Sequence, residues 1–163
     1  MKVDSLLGKK KHFNAADRKE NYHHIMGSSL IVINTITGSS LLYIFISNFA
    51  GWLSYVPIVL AFSAAIISIL QIYYRFCEAA AGHRRIANRY LSITKKCGRL
   101  EAYILDGMME KEDIVKSVED ISIEIEIINK DAESYPTNRE DLETSRRGIQ
   151  SGEESYTVDE LNL

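Results

Sequence analysis

From residue 21 to residue 74 the chain has no Asp, Glu, Lys or Arg, a gap of 54 residues in a sequence that is 25% charged as a whole. With 163 residues in all, too little other apolar surface exists to cover so long an uncharged stretch inside a soluble core. A hydrocarbon layer about 30 Å thick takes roughly 20 apolar helical residues, so the stretch has room for two spans and a connection and excludes three. Proline is scarce too, with Pro57 and Pro136 the only two. Nothing therefore interrupts a helix from Ile58 to Lys96, whereas Pro136 ends whatever precedes it. The two cysteines, Cys77 and Cys97, stand 20 apart and form neither a C-x-x-C nor a metal-ligand spacing, which excludes a disulfide framework and a zinc site by pattern. Also missing are G-x-x-x-x-G-K, G-x-G-x-x-G, H-E-x-x-H and any nucleophile, histidine and acid arrangement. The expectation is a protein without catalytic residues, metal or cofactor.

What is present divides by charge. Residues 1–24 carry 6 basic and 3 acidic side chains, residues 75–100 carry 7 and 1, and residues 101–163 carry 6 and 18. A pI near 5.8 thus conceals a basic collar and an acidic distal part. The spans are expected over 25–47 and 57–74, joined by "NFAGWLSYV", where Asn48 and Gly51 suit a turn and Trp52 and Tyr55 suit the headgroup level. Pro57 fits the first turn of the second helix. Basic residues flank both outer ends and are absent from the connection, which places both termini on the cytoplasmic side. The 24 polar residues ahead of a long apolar run argue against a cleaved signal peptide.

The expected fold is an all-α membrane protein: a basic arm (1–24), a transmembrane hairpin (25–74), a cytoplasmic helical region (75–135) and an acidic tail (136–163), partly disordered. The second span is expected to continue as one long helix, because Phe76, Ala80, His83, Ala87, Tyr90 and Thr94 recur at helical spacing, with a break near Gly98 or Gly107. Beyond it Ile114, Val118, Ile121, Ile125 and Ile128 follow an a/d spacing suited to assembly. Ile121, Ile123, Ile125 and Ile127 also alternate as a strand would. The heptad run extends past the alternating part and Glu and Lys fill the other positions, which favours helix. Thr137 or Asn138 suits the cap of a short helix over "REDLETSRR".

The first span is odd for a lipid segment. At 100° per residue, Gly27, Ser28, Asn34, Thr35, Gly38 and Ser39 fall within an arc of about 140°. In the second span Ala61, Ala64, Ser68, Gln71 and Arg75 share one face. Polar groups facing lipid are costly, so these faces meet protein or water. Two readings stay open: close helix packing between small residues, or the wall of a pore lined by Ser28, Asn34, Thr35, Gly38, Ser68 and Gln71. In the collar, Arg84, Arg85, Arg89, Lys96 and Arg99 make a basic stripe. Attraction to anionic lipid explains such a stripe without any specific ligand, and a phosphate-rich effector is the sharper alternative. His12, His23 and His24 read as interfacial side chains. His83 lies in the inward register, either as a core histidine or paired with Glu78 or Asp106 of a neighbouring copy, beside Ala87 and Tyr90 as assembly candidates.

Two motifs carry a resemblance. "KKKHFNAADRKENYHH" before the first span and "YYRFCEAAAGHRRIANRYLSI" after the second resemble the SLATT family of two-transmembrane effectors. Asn14, Ala15, Ala16 and Arg18 match an N-A-A-x-R arm, and Ala80, His83, Ala87, Tyr90 and Leu91 match the helix that follows the hairpin. The likeness runs over roughly residues 8–135 and leaves the acidic tail outside. It implies a homo-oligomeric, pore-forming effector of bacterial anti-phage conflict in the inner membrane. It also implies a nucleotidyltransferase-like partner and a nucleotide or short oligonucleotide signal. A non-conducting anchor that recruits a cytosolic partner, and a holin-like lytic protein, are the competing classes.

Overall fold

The computed structural model describes residues 1–47 and 51–153. Asn48 of the expected turn and the last ten residues of the acidic tail lie outside the described residues. Five helices follow in order: α1 (Lys2–Ser47), α2 (Val56–Tyr74), α3 (Phe76–Leu105), α4 (Lys111–Ala132) and α5 (Arg139–Gln150), with a 3-10 turn at Trp52–Tyr55 ahead of α2. No strand occurs among the described residues, so the alternating isoleucines of α4 obey the heptad. The chain divides into two compact units, residues 19–78 and residues 1–18 with 79–163. We call them the hairpin unit and the helical unit.

In the hairpin unit both helices are long and apolar enough to cross a membrane, with mean hydropathies of 1.8 and 2.3 over their best windows. Pro57 stands in the first turn of α2, where its missing N–H costs nothing. The helix expected to run on without interruption breaks after Tyr74. Arg75 takes a left-handed conformation at φ 44°, the only non-glycine residue to do so among the described residues, and its N–H closes onto Gln71 O at 3.3 Å. That conformation costs a side-chain-bearing residue about 1–2 kcal/mol. The pair from Arg75 to Glu78 at 2.5 Å and the stacked rings of Tyr74 and Phe76 span the break.

The helical unit contains the apolar core. Ile86, Tyr90 and Ile93 of α3 are buried with Ile121 and Ile128 of α4. α3 ends at Gly107 rather than Gly98: Gly107, at φ 65°, lets Met108 N–H reach Tyr103 O at 3.0 Å while its own N–H bonds Ile104 O at 3.1 Å. This paired closure satisfies the last carbonyls of the helix. Pro136 follows the end of α4, and Asn138 caps α5. Gly148, Ile149 and Gln150, expected to belong to a loose tail, form the last turn of α5.

Candidate functional site

In the hairpin unit, nearly every span hydroxyl bonds its own helix. Thr35 Oγ1 donates to Ile31 O at 2.8 Å, Thr37 Oγ1 to Ile33 O at 2.8 Å, Ser39 Oγ to Thr35 O at 2.9 Å and Ser68 Oγ to Ala64 O at 2.9 Å. Such back-bonding lets a hydroxyl sit in an apolar medium without a partner on another helix. Gln71 reaches the other helix instead, its side-chain amide 3.3 Å from His23 Nδ1.

Burial separates the two polar faces. On α2, Ala64 is buried and Ser68 and Gln71 are half-buried; on the α1 span the half-buried positions are Met26, Gly27, Ser29, Leu30, Ile33, Thr37, Ser40 and Ile44. Gly27 lies against the Gln71 side chain, where an added Cβ would sit 3.9 Å from its amide nitrogen. The polar line of α2 therefore belongs to the seam between the helices. Ser28, Asn34, Thr35, Gly38 and Ser39 are all exposed, and nothing lies within 4 Å of where a Cβ at Gly38 would be. This arc is left open within one chain.

In the helical unit the two motifs singled out in the sequence turn out to be two sides of one interface. His12 and His83, 1% and 2% exposed, bring their Nδ1 atoms to 3.1 Å, and the His12 ring stacks near Tyr90 with centroids 5.9 Å apart. Ala15, Ala16 and Ala87 are fully buried. The small side chains let α1 and α3 approach, and Gly8 admits the Tyr90 ring at about 3.0 Å from where its Cβ would be. Burial, then the neighbouring His83 and Lys11, push His12 down to about 4, so its imidazole is neutral at neutral pH. The Tyr90 hydroxyl donates to Asn129 Oδ1 at 2.6 Å, and burial raises its pKa. His12, read from sequence as interfacial, is thus a core residue, and His83 is the core histidine it meets.

The polar half of the first motif holds α5. Asn14 donates to Ser145 Oγ at 3.0 Å, and Arg18 grips the Asp141 carboxylate through Nε at 3.1 Å and Nη2 at 2.8 Å. Asp141 also accepts from Asn138 N at 2.9 Å while Asn138 Oδ1 accepts from Asp141 N at 2.8 Å, a reciprocal cap. Burial favours the neutral acid at Asp141, but the Arg18 and Asn138 hydrogen bonds outweigh it and lower the pKa. Sequence reasoning placed this acid in a short capped helix of the acidic tail, without a partner on α1. The spacing Asn138-x-x-Asp141 was the available signal.

A family model described as SMODS and SLOG-associating 2TM effector domain family 4 matches residues 6–160. The chain belongs to this family. The acidic end, expected to lie outside the likeness, is inside the match as far as residue 160. Neither a curated protein nor a solved structure matches the chain. As a SLATT chain it is a two-transmembrane effector domain, which agrees with its two long apolar helices and places it among membrane effectors of conflict systems. The family name associates it with SMODS and SLOG partners, a nucleotidyltransferase-type setting.

The SLATT collar is engaged by α4 and α1. Arg89 pairs with Asp131, Lys96 with Glu124, and Arg84 with Asp17 at 3.1 Å. Arg85 donates to the Tyr135 hydroxyl at 3.2 Å. Arg85, Arg89, Lys130, Asp131 and Tyr135 line an open groove of about 810 Å³. Arg99 is exposed on the same helix. Of the assembly candidates, His83, Ala87, Tyr90, Ile121 and Ile128 are buried in this core, Ile114 and Ile125 are half-buried, and Val118 is 39% exposed.

Proposed function

We propose that the chain is the subunit of a homo-oligomeric ion channel in the bacterial inner membrane, with both termini cytoplasmic. Opening damages the membrane and arrests growth, and a nucleotide or oligonucleotide signal, or a nucleotidyltransferase-type partner, controls it. The observation that carries this reading is the open arc on α1. Ser68 and Gln71 of α2 turn into the seam, whereas Ser28, Asn34, Thr35 and Gly38 are left exposed. The Asn34 amide cannot satisfy itself as a hydroxyl does. In lipid it would be costly, so several copies that turn these arcs inward give it water. Apolar rings such as Ile31 or Phe45 can gate such a path by dewetting.

Control falls to the collar in this reading. Arg85, Arg89 and Lys130 stand around the groove, and an anionic signal there would compete with Asp131 for Arg89. The test is ion flux from liposomes holding the purified protein, with and without nucleotides or short oligonucleotides. Wild-type flux that changes with the ligand and is lost or altered in Asn34→Leu is the expected result. Unchanged biological activity with no flux at all supports the anchor instead, and lesions that pass small proteins support the holin-like class. Arg85→Glu with Arg89→Glu should change the response to ligand without preventing insertion.

A further inference from the structure

Ile121 and Ile128 of the α4 heptad are buried inside the chain, which leaves the outward helix faces open for assembly. Two outward helix faces of the helical unit have complementary properties. α3 holds six basic residues against two acidic ones, whereas α4 holds three against seven. The inward-facing pairs, Arg89 with Asp131 and Lys96 with Glu124, use only part of that difference. On the outward face of α4, Ile123 and Ile127 are 52% and 51% exposed, and Glu119 and Glu126 border them. On the outward face of α3, Lys95, Arg99 and the small residue Ser92 are exposed. Among the described residues, none of Lys95, Arg99, Glu119 and Glu126 forms an ion pair within the chain. The α4 face thus carries apolar knobs with Glu119 and Glu126 beside Lys116 and Lys130, and the α3 face carries bases beside Ser92.

We propose that the outward face of α4 in one copy docks on the outward face of α3 in the next, Ile127 packing over Ser92 and Ile123 over the stems of Lys95 and Arg99, with Glu126 against Lys95 and Glu119 against Arg99. The two surfaces differ, so the contact is head-to-tail, which builds a ring where the rotation closes. The register follows from the chain itself. Lys96 faces Glu124 across the hairpin of α3 and α4. If the ring axis runs along these helices, the neighbour's Glu126 stands within about 3 Å of the level of Lys95, and Glu119 within about 3 Å of Arg99, at 1.5 Å per residue. Like charges would meet if two α3 faces were apposed, which disfavours a two-fold contact through α3.

This inference rests on the oligomeric channel reading and adds its interface. The experiment is oxidative cross-linking in native membranes of the full chain in a Cys77→Ser, Cys97→Ser background. Lys95→Cys together with Glu126→Cys should give a ladder of covalent species beyond the dimer, and neither single cysteine should cross-link. In parallel, Lys95→Glu should shift the detergent-purified protein from oligomer to monomer by native mass spectrometry, and Lys95→Glu with Glu126→Lys should bring the oligomer back. A ladder that stops at the dimer, or a wild-type oligomer that neither cross-links nor responds to charge reversal, overturns this interface and leaves the channel reading standing. A monomeric wild type overturns both. A ladder with rescue but no ion flux keeps the interface and removes the channel.

Discussion

The hairpin unit and the helical unit solve the same problem in opposite ways. In the helical unit, polar side chains reach across helices, as Arg18 does to Asp141 and Tyr90 to Asn129, and isoleucines fill the centre. In the hairpin unit, Thr35, Thr37, Ser39 and Ser68 close onto their own backbone, while Phe45, Ile46, Phe62 and Ile72 stand at least 70% exposed. The difference reflects the solvent each unit is built for. Water rewards buried apolar area, whereas lipid rewards local hydrogen-bond closure and leaves apolar area outside. A polar group that breaks the local rule in the hairpin unit, as Asn34 does, is therefore informative in a way that the same group in the helical unit is not.

The largest effect should come from removing a cross-helix partner. Asp141→Ala removes the half of the α5 cap that accepts from Asn138 N, and with it the carboxylate that Arg18, 22% exposed as a side chain, grips. Breaking a buried pair from one side costs about 3 kcal/mol or more. In the full chain, hydrogen exchange at α5 should accelerate at least tenfold and trypsin should cut at Arg139, Arg146 and Arg147. Asp141→Asn should fall between, because it keeps the cap but not the charge. α5 protection equal to wild type in Asp141→Ala would show that Arg18 does not hold the helix.

Acid should act next. His12 is neutral in the folded chain, at about 4, and takes a proton near 6.5 once unfolded. The stability it contributes is complete above pH 6.5 and falls as the pH drops toward 4, by about 3 kcal/mol at most. The groups that face it are His83, Tyr90, Lys11 and Asp141, and Asp141 opposes the shift. The low pKa of Asp141 removes further stability only below its ordinary range, so the window between pH 4 and 6.5 belongs to the histidine. His12→Gln should flatten the pH dependence of helical-unit protection in that window. An unchanged slope would assign the acid sensitivity elsewhere.

Much of this architecture was legible in the sequence, and for separable reasons. The uncharged stretch and its flanks announced two spans because bilayer thickness is a fixed length. The Ile114 to Ile128 spacing announced a helix, yet not its partner, since an a/d seam reads the same whether the second helix is another copy or α3 of the same chain. His12 was misread because the lysines around it describe a solvated arm, and one side of a helix can be buried while the rest is charged. Arg75 was invisible: nothing in a sequence marks an arginine for a left-handed conformation. Gly107 was anticipated because glycine is the common residue there. The split between the α1 arc and the α2 seam needed coordinates, since each span shows one polar face and the pattern does not say which is covered.

Glycine offers a smaller break on the helical side. A Cβ at Gly82 of α3 would overlap the Tyr135 ring, so Gly82→Ala must displace Tyr135 and its contact with Arg85. Overpacking of this kind costs about 1–3 kcal/mol. Because Tyr135 also lines the groove with Arg85 and Arg89, the variant should weaken any nucleotide response of the channel along with stability. A Tyr135→Ala, Gly82→Ala pair should recover the stability but not the response.

The smallest effect tests the hairpin rule itself. Thr35 and Thr37 make the same bond, each donating to a carbonyl four residues back at 2.8 Å, so Thr35→Val and Thr37→Val remove equal local closures. A valine keeps the shape, and the carbonyl already serves the helix, so each change should move stability by no more than about 0.6 kcal/mol. The two side chains differ in what they face: Thr35 is exposed on the polar arc, and Thr37 is half-buried on the seam side. If the arc lines water, Thr35→Val should lower or reshape ion flux while Thr37→Val leaves it as in wild type. Equal flux from both would mean that the arc meets a protein surface, and that Asn34 is satisfied by packing instead of by water.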